Sequence, residues 1–240
     1  MNGDGKSARA IMRPTFERFR ATIDGLWPHL SPADGARGCS RIVCVGAEHG
    51  DGTTTIASCA AIGLAENLHA EVLLLEANMR TPGLAAMVDL GVAPGLCHVL
   101  ADTPSWRQSV VASDISGLSV LTAGVARVDG PAFDPAALPR LFAELQDKFR
   151  VVVIDAPPLL LYGDGRLLLS HADTALPIVC AGHTGKAAAR AMLRELEGIG
   201  VRSVCTVLNR SPVAGLQFVD SVGHSQLVAR PRAWSVSRPR

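Results

Sequence analysis

Six short aliphatic runs, at residues 42–45, 72–75, 118–121, 151–154, 175–179 and 204–208, limit what this chain can fold into. They are rich in Val, Leu and Ile and mostly lack the alternating polar residues of a strand with one wet face. Such strands belong to a parallel sheet covered on both sides, because every side chain has a hydrophobic neighbour whichever way it points. Between them lie stretches of helical pattern, at 54–68, 84–89, 135–149 and 186–199. Strand and helix in alternation predict a doubly wound α/β domain with a predominantly parallel sheet. At 240 residues the chain has room for one such domain with tails.

The flanks read differently. Residues 12–27 place Phe16, Phe19, Ile23 and Leu26 at helical spacing, and 28–38 reads as a linker. The expected organisation is an N-terminal helix and linker over 1–38, the core domain over 39–210, and a flexible basic tail over 211–240. A formal net charge of +1 removes the electrostatic case for a nucleic-acid partner. No apolar run reaches the roughly 18 residues of a membrane span, and residues 1–13 read as free of an apolar leader. The cysteines form no C-x-x-C pair, as expected of small buried hydrophobes in a reducing cytoplasm.

The junction between the first run and the first helix reads Ala47-Glu48-His49-Gly50-Asp51-Gly52-Thr53-Thr54-Thr55. It has the layout of a phosphate-binding P-loop, in which backbone N–H groups and a helix N-terminus point at phosphate oxygens. The pattern also asks for an opening glycine, a lysine for the β- and γ-phosphates, and a hydroxyl for Mg²⁺. Gly50, Gly52 and the hydroxyl of Thr54 are present, while Ala47 stands at the first glycine and Thr53 at the lysine. Two further strand ends carry polar groups. The run at 72–75 leads into Glu76-Ala77-Asn78-Met79-Arg80-Thr81-Pro82, and that at 151–154 into Asp155-Ala156-Pro157-Pro158. Asp155 matches a Walker B carboxylate, which holds Mg²⁺ directly or through water. Asn209 and Arg210 follow the last run, where an asparagine could read a base.

These segments, in this order, resemble the bacterial tyrosine kinases, cytoplasmic partners or fused domains of the membrane co-polymerases that control exopolysaccharide chain length. The resemblance spans roughly residues 12–210 and includes Pro94-Gly95-Leu96, Asp134-Pro135-Ala136 and Asp164. It implies ATP or ADP with Mg²⁺ as cofactor and Glu76 and Asp155 as catalytic residues. It also implies nucleotide contacts from Gly50, Asp51, Gly52, Thr53, Thr54, Thr55, Arg80 and Asn209, with Thr54 and Asp155 on the metal. The implied partner is the cytoplasmic segment of a membrane polysaccharide co-polymerase, which would hold the chain peripherally at the inner membrane in a hetero- or homo-oligomer. Partitioning and septum-site ATPases share the fold, but they generally carry a signature lysine where this chain has Glu48.

Four departures accompany the resemblance. Thr53 replaces the loop lysine, and Glu76 and Asn78 stand where the family has Asp-x-Asp. Pro14, Glu17 and Arg20 align with a ring-forming E-x-x-R-x-x-R motif, of which the last arginine survives. The family's tyrosine-rich tail is missing, since Tyr162 is the one tyrosine of the sequence. Each lost charge-assisted contact is worth roughly 10- to 100-fold in affinity, so nucleotide binding is expected to be weak or lost and turnover impaired. Three functions stay open on the sequence: a catalytically impaired kinase-like regulator of exopolysaccharide biosynthesis or export, an active kinase or ATPase of the same family, and a positioning ATPase. Plainer readings stand beside the site residues. The turn at 50–55 can be a structural junction capped by Thr53 or Thr54, Asp155 or Glu76 a solvated carboxylate, and Asn209 a strand cap.

Overall fold

The computed structural model describes residues 39–88, 94–101, 105–124 and 134–211, together with 16, 17, 19, 20, 23–26 and 30. The expected linker, apart from Leu30, and the expected tail beyond Ser211 lie outside the described residues.

In chain order the strands are β1 Ser40–Gly46, β2 Val72–Glu76, β3 Val111–Ala112, β4 Leu118–Leu121, β5 Val151–Asp155, β6 Thr174–Cys180, β7 Ser203–Val204 and β8 Val207–Asn209. They form one sheet in the order β3-β4-β2-β5-β1-β6-β7, with β8 also paired to β6. Every pairing is parallel except that of β3 with β4. The run at 204–208 therefore divides into two short strands on the same edge of β6, and the division falls beside Pro177, which has no N–H to give a ladder. Helices α1 Thr53–Leu68, α2 Leu84–Met87, α3 Leu96–Leu100, α4 Trp106–Ser109, α5 Ala137–Leu145, α6 Gly163–Leu169 and α7 Lys186–Ile199 complete the domain.

The uninterrupted aliphatic runs are explained by burial on both faces. Ile42, Cys44, Val72, Leu74, Val151 and Val153 join one core. Their strand neighbours Val43, Val45, Leu73, Leu75, Val152 and Ile154 join the other, at the period of two that a pleated strand imposes. Against the first face lies α1, buried along most of its length and rich in small residues. A helix apolar all round needs cover on its outer side as well. Phe16, Ile23, Leu26 and Leu30 supply it, each buried in the same core, and a Cβ on Gly63 would collide with Ile23. Arg20 pairs with Glu17 and with Glu66 on α1. The apolar face that the sequence shows at residues 12–27 is thus spent within the chain.

Parallel register sets the strand ends side by side. Cys44 lies opposite Asp155, and Asp155 opposite Glu76. The carboxyl ends of β1, β5 and β2 therefore meet at the mouth of the loop that follows β1, the crevice where open α/β sheets take ligands.

Candidate functional site

The turn from β1 into α1 has the backbone of a P-loop. Gly50 and Gly52 both hold φ near 90°, a left-handed conformation that favours glycine, and Gly52 is the N-cap of α1. Asp51 between them is fully buried. Its Oδ2 accepts the backbone N–H groups of Ala47 at 2.8 Å and Glu48 at 3.0 Å, and its Oδ1 accepts the Thr184 hydroxyl at 2.5 Å. The Asn209 side-chain amide donates to the Asp51 carbonyl oxygen at 2.8 Å, and a Cβ on Gly52 would collide with that amide. His183 Nε2 donates to the carbonyl oxygen of His49 at 2.7 Å. Loop residues are thus clamped by the turn after β6 and by the end of β8.

Thr53 occupies the lysine position and Thr54 the metal position, both in the first turn of α1. The N-cap is Gly52, so Thr53 and Thr54 stand inside the helix and not at the capping position that the sequence left open to them. Thr55 follows on the same turn, partly buried. Asn209, a candidate base reader, gives its amide to the loop.

Glu76 and Asp155 are neighbours with opposite fates. Glu76 Oε1 accepts the N–H groups of Gly83 at 2.6 Å and Leu84 at 2.7 Å, and Oε2 accepts that of Ala123 at 2.9 Å. One carboxylate thereby ties β2 to the start of α2 and to the end of β4. Asp155 is equally buried, yet neither of its oxygens has a hydrogen-bond partner among the described residues. Burial pushes its carboxyl up to about 7; the nearby Thr54 hydroxyl pulls the other way without reaching hydrogen-bond geometry, and the charge of Glu76 adds to the rise. A buried carboxylate with nothing to bind is costly unless it is protonated or meets a cation.

Asn78 is turned into a local motif, its amide donating to the Thr81 hydroxyl and its oxygen accepting the Thr81 N–H. Arg80 donates from Nε to Asp164 at 2.9 Å and lies over the Tyr162 ring, 4.6 Å from its centroid. Tyr162 in turn meets His49 on the loop, its hydroxyl 3.2 Å from Nε2. The loop rim thus continues through His49 and Tyr162 to an Arg80–Asp164 ion pair.

Thr184 and His183 are site residues that motif reading does not reach. They match no pattern, but the turn after β6 opens at the carboxyl edge of the sheet, where any such turn faces the crevice. The signal for them is topological and rests on reading 175–179 as a parallel strand.

The donor set suits one half of a metal–nucleotide complex better than the other. Thr54 and the orphaned carboxylate of Asp155 fit an oxygen-seeking cation such as Mg²⁺. The loop has the backbone shape for phosphate but a threonine where the cation belongs and a carboxylate inside it.

No family model matches the chain. Over 138 residues it is 30% identical to the tyrosine-protein kinase YwqD of Bacillus subtilis (strain 168), covering 57% of this chain and 58% of that protein. Over 143 residues it is 26% identical to the succinoglycan biosynthesis transport protein ExoP of Rhizobium meliloti (strain 1021), covering 58% of this chain and 18% of ExoP. The chain thus spans under two thirds of the length of each. The crystal structure of the VpsO kinase domain superposes with a TM-score of 0.67 at 25% identity, over 83% of this chain and 96% of that domain.

Proposed function

The chain is a member of the bacterial tyrosine kinase family, and from that premise we propose that it is a catalytically impaired, kinase-like regulator of exopolysaccharide assembly or export. The observation that carries this reading is the missing cation at the phosphates. Position 53 is a threonine, and Arg80, the arginine that the resemblance places on the nucleotide, is engaged by Asp164 and Tyr162. Phosphoryl transfer depends almost wholly on positioning and electrostatic stabilisation, and loss of one preorganised donor typically costs about 10²–10³ in rate. Thr54 and Asp155 would hold Mg²⁺, and the N–H groups at the start of α1 would face the phosphates. ATP or ADP then binds weakly.

The relatives support the choice of system: one is a tyrosine-protein kinase and another a succinoglycan biosynthesis transport protein. The chain would take the place of an active kinase beneath a membrane co-polymerase and associate with the membrane peripherally, through that partner; no helix of the described residues is long and apolar enough to cross a membrane. Docking falls to surfaces other than the apolar side chains of Phe16, Ile23, Leu26 and Leu30, which are buried in the domain core. Incubation with Mg-ATP, followed by phosphate release and mass spectrometry for phosphotyrosine, tests the reading. Neither product is expected above the protein-free background; phosphotyrosine on this chain or on a co-purified partner overturns it.

One observation favours an active enzyme as the second reading. Asp155 keeps an unsatisfied carboxylate beside Thr54, the condition of a working metal site. A cation supplied by a partner subunit would then complete the loop, and phosphate release that appears only with the partner present would identify this case.

A further inference from the structure

Among the described residues three large aliphatic side chains stand exposed, Leu161, Leu193 and Leu208, and the last two belong to one face of the domain. Val207 joins the core on the α1 side of the sheet, so Leu208, the next residue of β8, points to the other side. Its parallel partner Val179 packs on that second core, where Met192 and Leu196 of α7 are buried. Strands β7 and β8 pair with β6 and with no other strand among the described residues. Leu208 therefore stands at the rim of the sheet, 41% exposed.

Helix α7 lies beside that rim, and its packing fixes how it is rolled. Met192 and Leu196 point inward, so at 3.6 residues per turn Lys186, Arg190 and Arg194 stack along the exposed side. Glu195 lies on one flank, where it pairs with Arg166 of α6. Because α6 packs over β1 and α7 over β6, that flank looks back across the sheet. Leu193, 36% exposed, lies on the opposite flank, which faces the β8 rim. None of Lys186, Arg190 and Arg194 forms an ion pair among the described residues. Glu197, near the end of the helix, is the one acid on its exposed side.

This arrangement costs the isolated chain stability. Like charges four residues apart repel along a helix, and Lys186, Arg190 and Arg194 make two such pairs in succession. An acidic partner relieves that repulsion, and exposed leucines beside the cations give it apolar surface to cover. The chain's own residues 212–240 carry four arginines against one acid, Asp220, and so have the wrong sign. Two copies meeting through this face would set like charges together.

We propose that α7 and the β8 rim form a docking face for an acidic segment of a partner protein, with Lys186, Arg190 and Arg194 receiving its carboxylates and Leu193 and Leu208 its apolar side chains. The proposal goes beyond the function proposed above: phosphate transfer by the chain would defeat that reading and leave this one standing.

The test selects random peptides displayed on phage against the full chain, then titrates the enriched peptides, synthesised and labelled, by fluorescence anisotropy. The enriched peptides are expected to combine Asp or Glu with large apolar residues. Arg190→Glu with Arg194→Glu should weaken their binding at least about tenfold, and Leu193→Gln with Leu208→Gln about three- to tenfold. Arg107→Glu with Lys148→Glu makes the same change in net charge at exposed sites elsewhere and should leave affinity within about twofold. The proposal is overturned if no peptide is enriched, if those enriched lack acids, or if the control pair weakens binding as much as the α7 pair. Should the α7 charge reversal lower the melting temperature, Arg190→Gln with Arg194→Gln replaces it. Vesicles of phosphatidylglycerol and phosphatidylcholine form the second arm: sedimentation with them that depends on Arg190 and Arg194, without enrichment of acidic peptides, would make this a lipid surface and contradict the proposal.

Discussion

Glu76 and Asp155 lie opposite each other on adjacent strands, both about 1% exposed, yet the carboxylate of Glu76 is fully bonded and that of Asp155 has no hydrogen-bond partner among the described residues. Glu76 collects three backbone N–H groups from two other segments and behaves as part of the frame. Asp155 collects none and is held near the edge of ionisation by its burial. A carboxylate at the end of a parallel strand is therefore not a catalytic group by position alone. What separates frame from site is whether the backbone has already satisfied it.

The contrast is broken most directly by removing each acid in turn. Glu76→Ala leaves three N–H groups without their acceptor, and each buried orphan costs about 1–3 kcal/mol. Urea unfolding should show a loss of at least about 3 kcal/mol. Asp155→Asn should act with the opposite sign in metal-free buffer at pH 8, raising stability on the order of 1–3 kcal/mol by removing an uncompensated buried charge. If both variants lose stability to the same degree, the two carboxylates are equivalent and the distinction fails.

A pH series sharpens it. An aspartate in an unfolded chain titrates near pH 3.9, whereas burial lifts that of Asp155 to about 7. Between those values the folded chain keeps a proton that the unfolded chain has shed, so the contribution of Asp155 to stability falls as pH rises from about 4 to about 7. The difference between the unmodified chain and Asp155→Asn should open across that window and be constant above it. A flat difference would mean that Asp155 is ionised and solvated.

Magnesium should separate the two acids at smaller scale. Added to the unmodified chain at pH 8, it should raise the unfolding midpoint by the amount that mass action allows, about 1 kcal/mol at a few times its Kd. In Asp155→Asn the shift should vanish. The smallest expected effect is that of Thr54→Val: the Thr54 hydroxyl opposes the rise of Asp155, so its removal should move the pH window upward. No movement would place Thr54 outside the electrostatics of the site.

Much of the frame was legible because its cause is local. Aliphatic runs buried on both faces have to be inner strands, and Gly50 and Gly52 are needed wherever φ is positive. What escaped was short or long-range. The two-residue β3 pairs antiparallel with β4 and carries too little pattern to see, and α6 opens on a glycine with no side-chain cap. Asp51 is evident as a loop residue, but its inward turn depends on Thr184 and Asn209, 133 and 158 residues further along the chain. Arg80 reads as a candidate phosphate ligand until Asp164, 84 residues away, is found bonded to it. Periodicity marked an apolar face around Phe16 and Ile23; the surface it covers, α1, is a property of the packed chain.

The central claim is that the P-loop scaffold persists while its phosphate grip does not, and one titration reads it directly. Mg-ATP is titrated calorimetrically into the unmodified chain and into Asp155→Asn. The account predicts a dissociation constant weaker than about a micromolar in both, with at most a small difference between them, because the loop and not the metal end limits binding. Sub-micromolar affinity in the unmodified chain that collapses in Asp155→Asn would contradict it, and would mark an intact Mg-nucleotide site.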